Sequence, residues 1–367
     1  MSEKRLNAKH GVICSLPNER LGYFGWPSIA RTDSGKLVIS ASGLRYAHVC
    51  PYGKTVLFTS DDEGATWSRP NILNNTPLDD RDAGVVSLGG EKLLVTWFAL
   101  DVRSHCPSER RPDGEREVWE KVFAGYTDDI VEKWRGSWVR VSEDGDAWSD
   151  FIRAPVNTPH GPIRCANGDL LYFGKQWFQP GEGDATESSG DIRAARSCDD
   201  GFTWTTLGSV PNAPKSSNGD FHEPHVVELS SGRLIGLIRY QHGGPDRGYD
   251  GFSLFQSESD DGGETWTQAR ELGIYGSPPH VIRHSSGALV CVYGNRRDPF
   301  GERAMISRDD GVTWDTDWII SDGPAMDLGY PASVELPDGR IMTVYYQFAD
   351  ESHKNTSVLS TVWELPG

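Results

Sequence analysis

Cysteine is scarce and scattered in this chain of 367 residues: six are present, at 14, 50, 106, 165, 198 and 291. Neither a Cys-x-x-Cys pair nor a Cys/His spacing suited to zinc occurs, which argues for separate reduced thiols and against a disulfide framework or a structural metal. Long apolar runs are missing too. No stretch reaches the 18 or so apolar residues of a membrane-spanning helix, so no membrane partner is expected. The first residues, Met-Ser-Glu-Lys-Arg-Leu-Asn-Ala-Lys, hold no apolar core of a secretory leader. A cytoplasmic location is therefore expected, or a secreted or periplasmic one if a leader was removed. Basic excess is lacking as well: 36 Lys and Arg stand against 53 Asp and Glu, a formal charge of −17. That balance argues against nucleic-acid phosphate as a partner. It leaves room for a small anion, because a local cluster of arginines can outweigh the overall field.

What the chain does have is one phrase repeated four times. Ser-Asp-Asp-Glu-Gly-Ala-Thr-Trp at 60–67 returns with small changes at 197–204, 259–266 and 307–314, and a damaged copy lies at 142–148. The frame Ser-x-Asp-x-Gly-x-Thr-Trp is a turn. Its Asp and Gly supply the side-chain acceptor and the left-handed backbone that tight hairpins need. Its Trp supplies an apolar plate to lie between sheets. Upstream of each copy a short apolar hairpin is split by a Gly-containing turn, at 26–39, 82–94, 159–171, 223–235 and 278–290. A sixth such hairpin, at 330–342, has no copy after it. Repeats at this spacing predict an all-β, six-bladed propeller with four-stranded antiparallel blades, forming one domain over 1–367. Residues 10–16 are expected to close the ring as the outer strand of the last blade. Residues 101–137 break the rhythm and read as a partly helical insertion in the second blade, placed to wall the substrate face.

In such a ring the first residue of each inner strand projects toward the central funnel. The equivalent positions are Trp26, Asp82, Pro159 with His160, Glu223, Pro278 and Tyr330. Charges at buried strand starts need a reason. Asp82 is a candidate general acid, with Arg81 expected to pair with it on the rim. His160, His225 and His280, with His222, gather at blade starts. They suit a sugar pocket, a metal site or hydrogen bonding between blades.

The Trp phrase resembles the Asp-box of the sialidase (BNR repeat) superfamily. Phe-His-Glu-Pro-His-Val-Val-Glu-Leu-Ser-Ser-Gly-Arg-Leu-Ile-Gly-Leu-Ile-Arg at 221–239 is similar to the sialidase segment carrying a catalytic Glu and an arginine of the carboxylate-binding triad. The resemblance implies those roles for Glu223 and Arg239. Gly-Tyr-Pro-Ala-Ser-Val-Glu-Leu-Pro-Asp-Gly at 329–339 resembles the segment with the nucleophilic tyrosine, here Tyr330. Arg303 resembles the third triad arginine, with Arg296 and Arg297 as nearby competitors. Two departures stand out. Trp26 precedes Pro27 where sialidases carry their first triad arginine. The loop 43–50 holds no Asp for acid/base work and offers His48 instead, with Arg45 as a cation from a new direction. The resemblance implies an exo-acting glycosidase on a terminal, acidic sugar, without a cofactor or metal. Two alternatives stand beside it. One is a polysaccharide lyase using a His/Tyr/Arg set on a uronate. The other is a sugar-binding propeller without catalysis.

Overall fold

The computed structural model describes residues 3–176, 190–243 and 248–367. Six antiparallel sheets follow one another around a ring. Blade 1 begins with Tyr23–Arg31, blade 2 with Asp79–Gly89, blade 4 with Phe221–Glu228, blade 5 with His280–Arg283 and blade 6 with Gly329–Glu335. In blade 3 the inner strand is split into Val156–Asn157 and Ile163–Arg164, and both pieces pair with Leu170–Gln176. The expected six-bladed propeller is the fold observed.

The repeated phrase makes the same turn each time. In the first copy the Gly64 N–H donates to Ser60 Oγ at 2.9 Å, while Asp62 accepts from the Thr66 N–H at 2.8 Å and from its hydroxyl at 2.6 Å. The copies at Asp199, Asp261 and Asp309 repeat these bonds. The damaged copy keeps the backbone bond from Ala147 to Asp144 but has no Thr hydroxyl to add. Each turn then lays its Trp on the blade before it. Trp266 of blade 4 stacks on Phe173 of blade 3, ring centroids 4.4 Å apart. Trp314 of blade 5 donates to Gln256 Oε1 of blade 4 at 2.9 Å. Trp67, Trp148 and Trp204 pack into the corresponding seams. The core is therefore six apolar seams between neighbouring blades, each sealed by aromatic and β-branched side chains.

The termini close the ring as expected and then go further. Ala8–Cys14 pairs antiparallel with Ser357–Trp363 as the outer strand of blade 6. Lys4–Arg5 continues onto blade 5 and runs parallel to Asp315–Asp322, a clip that the sequence pattern did not announce. The insertion carries two helices, α1 (Arg116–Ala124) and α2 (Asp128–Trp134). Trp119 of α1 sits edge-on to Tyr46 and Tyr52 of the blade 1 loop. Glu115 accepts from Trp119 Nε1 at 3.1 Å and takes both ends of the Arg20 guanidinium at 2.6 Å. These contacts hold the insertion over the funnel side of blades 1 and 2.

Candidate active site

Four blades enter the funnel in the same unusual way. Trp26, Asp82, Glu223 and Tyr330 all have left-handed backbone, with φ of 53°, 48°, 37° and 48°. Each lies where the pairing of its inner strand slips past a bulge. Non-glycine residues held in this region cost on the order of 1 kcal/mol or more each, and such residues cluster where side chains must be aimed. The bulges re-aim side chains that would otherwise stand on one face of the sheet toward the axis.

The structure brings Glu223, Tyr330 and Arg239 into one hydrogen-bonded group. Tyr330 Oη donates to Glu223 Oε1 at 2.6 Å. Arg239 Nη1 donates to Tyr330 Oη at 2.9 Å and also to Glu223 Oε2. Its Nη2 is held by Gln241. Burial pushes the Glu223 carboxyl up, but Arg239 and the Tyr330 hydroxyl outweigh it and hold the group below its ordinary value. Burial and the neighbouring Glu223 charge push the Tyr330 phenol well up, so the proton rests on the tyrosine while the pocket is empty.

Around this group lie two adjoining lobes that share His222, Glu223 and Tyr330. The wider lobe, about 420 Å³, is bounded also by His48, Arg239, Gln241 and Arg296. Arg296 donates to the Leu328 carbonyl at 2.8 and 3.0 Å and lies 5.5 Å from the centre of the Tyr330 ring. The narrower lobe, about 140 Å³, lies against the insertion and takes in Asp82, Arg81, His105, Lys175 and Asn157, with an apolar wall of Val49, Phe98 and Leu100. Asp82 Oδ1 is buried without a hydrogen-bond partner among the described residues. Burial raises its carboxyl to about 7 against the pull of Arg81, and Glu223 adds to the rise. An acid that keeps its proton near neutrality can donate it.

His48 stands on the rim of the wider lobe. Its Nδ1 lies 3.0 Å from Asp327 Oδ1 and 3.0 Å from Tyr23 Oη, and Asp327 also accepts from Tyr23 at 3.0 Å and from Tyr346 at 3.1 Å. Burial lowers the imidazole below its ordinary value in spite of Asp327. With Nδ1–H committed to Asp327, the other ring nitrogen is left as an acceptor.

Other expected site residues lie elsewhere. Arg303 does not line the pocket: its guanidinium is spent on the carbonyls of Pro299 at 2.8 Å and of Glu302 and Ser321 at 3.1 Å. Arg296, just past the funnel end of the preceding strand, borders the wider lobe instead. Arg297 points outward, over Tyr275 and toward Asp250. Arg45 is fully buried and grips both oxygens of Asp79 at 2.7 and 2.9 Å, so it presents no free N–H to a ligand. Trp26 is 1 % exposed and forms a floor beneath the site rather than a wall of it. The pairing of Arg81 with Asp82 is replaced by one with Asp79, at 3.1 Å.

His160, His225 and His280 do not line either lobe. They cluster at the axis: His225 and His280 stack with centroids 4.3 Å apart, and His160 meets both edge-on at 5.7 and 4.9 Å. His225 accepts from the Val281 N–H of the next blade at 3.1 Å, and His280 from the Ser333 N–H at 3.2 Å. Hydrogen bonding between blades is thus the observed task of His225 and His280, while both ring nitrogens of His160 are buried without a hydrogen-bond partner among the described residues. Burial holds all three well below the ordinary imidazole value, His225 down to about 3. Among the described residues no group of three His, Cys, Asp or Glu is arranged to hold a metal ion. The residues that sequence reasoning missed are Lys175, Asn157, His105 and Asp327. Asp327, three residues before Tyr330, and Asn157, two before Pro159, had sequence neighbours to point to them.

A six-bladed ring with its charged residues gathered at the inner strand starts defines a propeller of the sialidase fold. The chain belongs to the BNR repeat-like domain family, whose profile matches residues 116–343. Among solved structures, it is similar to a protein of unknown function from Dyadobacter fermentans, at 21% identity over 98% of this chain and 99% of that one, with a TM-score of 0.74. The Hadza microbial sialidase Hz136 aligns at 16% identity over 97% of this chain and 68% of its own, TM-score 0.66. The Trypanosoma rangeli sialidase, solved with the inhibitor DANA, aligns at 17% over 97% and 59%, TM-score 0.63. A search of curated proteins gave no match.

Proposed function

We propose that the chain is a glycoside hydrolase that removes a terminal acidic sugar from a glycan. The observation that carries this reading is the Tyr330–Glu223–Arg239 group, with proton-bearing Asp82 and cationic Arg296 around the same pocket. Arg239 and Arg296 would hold the substrate carboxylate, since guanidinium forks match its two oxygens. A carboxylate nucleophile would be repelled by such a sugar, whereas a neutral phenol is not. In the first step the Tyr330 proton passes to Glu223 and the phenolic oxygen bonds to the anomeric carbon. The glycosidic oxygen leaves with the bonding pair and takes the proton of Asp82. In the second step water bonds to the anomeric carbon and returns a proton to Asp82, while the departing Tyr330 oxygen recovers its proton from Glu223. Two displacements retain the anomeric configuration.

The test is turnover of aryl glycosides and natural glycans followed by mass spectrometry. Tyr330→Phe and Glu223→Gln should each lower kcat/KM by about 10²-fold or more while the far-ultraviolet spectrum is unchanged. Wild-type rates in both variants would remove the assignment.

One observation favours a second reading. The His48–Asp327 pair places a neutral base beside Tyr330 and the arginines, as proton abstraction next to a uronate carboxylate requires. Elimination would then release an unsaturated uronide, seen directly by its ultraviolet absorbance.

A further inference from the structure

We infer that Arg81 is a third ligand-binding guanidinium of the pocket and selects for an acidic substituent on the sugar. This rests on the acidic-sugar reading above and extends it to a residue of blade 2.

Two arginines lie close to Trp26, with guanidinium carbons 4.9 Å from the ring centre for Arg45 and 4.3 Å for Arg81. Their situations differ. Arg45 is 0 % exposed, and its N–H groups go to Ala47, Ser42, Asp79, Asp80 and His48. Arg81 spends only Nη1, on the His48 carbonyl at 2.9 Å and on Asp79. Its Nε and Nη2 make no hydrogen bond among the described residues, and the side chain borders the narrower lobe.

The charges point the same way. One buried carboxylate, Asp79, serves both guanidiniums. Asp80 is no further neutraliser: burial lifts its carboxyl to about 7, and it is engaged with Thr76 at 2.7 Å. Asp82, next in the chain, keeps its own proton to a similar pH. Two guanidiniums thus share the one carboxylate of Asp79, and Arg81 is the member that reaches the pocket. The indole beneath it and the carbonyl beside it fix the fork before a ligand arrives, which spares the entropy of ordering a long side chain. Lys175 also lines the narrower lobe, but its ammonium is directed to the carbonyls of Phe221 and Asn218.

The experiment is isothermal titration of the full chain with N-acetylneuraminate, D-glucuronate and D-galacturonate, and with methyl D-glucoside as the neutral probe. None of these needs to be cleaved. Arg81→Gln should weaken the best acid probe by about tenfold or more and flatten its salt dependence, with the neutral probe unchanged. Arg81→Lys keeps a cation and should recover part of the loss, which separates lost charge from a damaged pocket. Wild-type acid affinity in Arg81→Gln, or equal losses for acid and neutral probes, would overturn the inference. If Arg296→Gln abolishes acid binding while Arg81→Gln does not, the acidic-sugar reading stands and the role of Arg81 falls. If the wild type binds no acid probe, both fall together.

Discussion

Replacing His225 with Asn should make the protein more acid-resistant by an amount that can be worked out in advance. His225 is 4 % exposed, and burial holds its imidazole down to about 3, so it stays neutral in the folded protein through the mildly acidic range. In the unfolded chain it protonates at its ordinary value near 6.5. A depressed group of this kind supports the fold above the unfolded value, and that support is lost as pH falls toward the folded value. Each pH unit between the folded and unfolded values is worth about 1.4 kcal/mol, and about two such units lie below 6.5 on the way from about pH 7.5 to about pH 4.5, so that change costs the wild type about 2.7 kcal/mol through this one residue. Asn keeps an acceptor where Nδ1 receives the Val281 N–H and does not titrate. The total stability of the wild type is a poor readout. Asp80, raised to about 7, and Glu302, raised to about 8, run the opposite way over the same range. The difference between variant and wild type cancels them. The assay is urea unfolding followed by tryptophan fluorescence at both pH values. Relative to the wild type, His225→Asn should gain about 2.7 kcal/mol on moving from neutral to acid, whatever fixed penalty the smaller side chain carries. A stability difference that is the same at both pH values would show that the axial imidazole is not held neutral.

Three further outcomes follow from other parts of the molecule. Glu302 is fully buried with neither carboxyl oxygen hydrogen-bonded among the described residues, and its raised value means that stability is lost as pH climbs toward about 8. Glu302→Gln should therefore gain on the wild type by about 1.4 kcal/mol per pH unit between pH 5 and 8, read by the same unfolding assay. Trp266→Ala removes the plate stacked on Phe173 and should cost about 3–5 kcal/mol, measured as a lower urea midpoint. Asp82→Asn should lower kcat/KM for substrates with poor leaving groups by about 10²-fold or more and spare kcat/KM for activated aryl glycosides, while kcat for the latter falls because water loses its base in the second step. It should also abolish the fall in kcat/KM as pH rises past about 7, because no proton remains there to be lost.

Blade number and order could be read from the chain because the Asp-box turn is local. Every hydrogen bond within a copy spans at most four residues, so the phrase forms the same turn wherever it occurs. Glu223, Tyr330 and Asp82 were also legible, since the repeat marks equivalent strand starts. Choosing among nearby arginines was another matter. Arg296 and Arg303 flank one hairpin, and their separation in sequence does not say which faces the axis. Arg296 lies just past the end of its strand, free to turn into the funnel, whereas Arg303 lies within its strand and is satisfied by carbonyls of its own blade. The axial histidines show the same limit. Two residues past the bulge at Glu223, His225 points into the ring below the pocket, a consequence of backbone geometry and not of residue type.

The sequence by itself determined the scaffold: turn chemistry and strand alternation act over a few residues, with six hairpins marked by four intact Asp-box turns and one damaged one. Only the tertiary structure decided which charges share a pocket. That depends on bulges, on which guanidinium has spent its donors, and on how neighbouring blades face one another. Arg45 and Arg81 approach the same indole, and what separates a structural cation from one open to a ligand is burial and the hydrogen bonds already made.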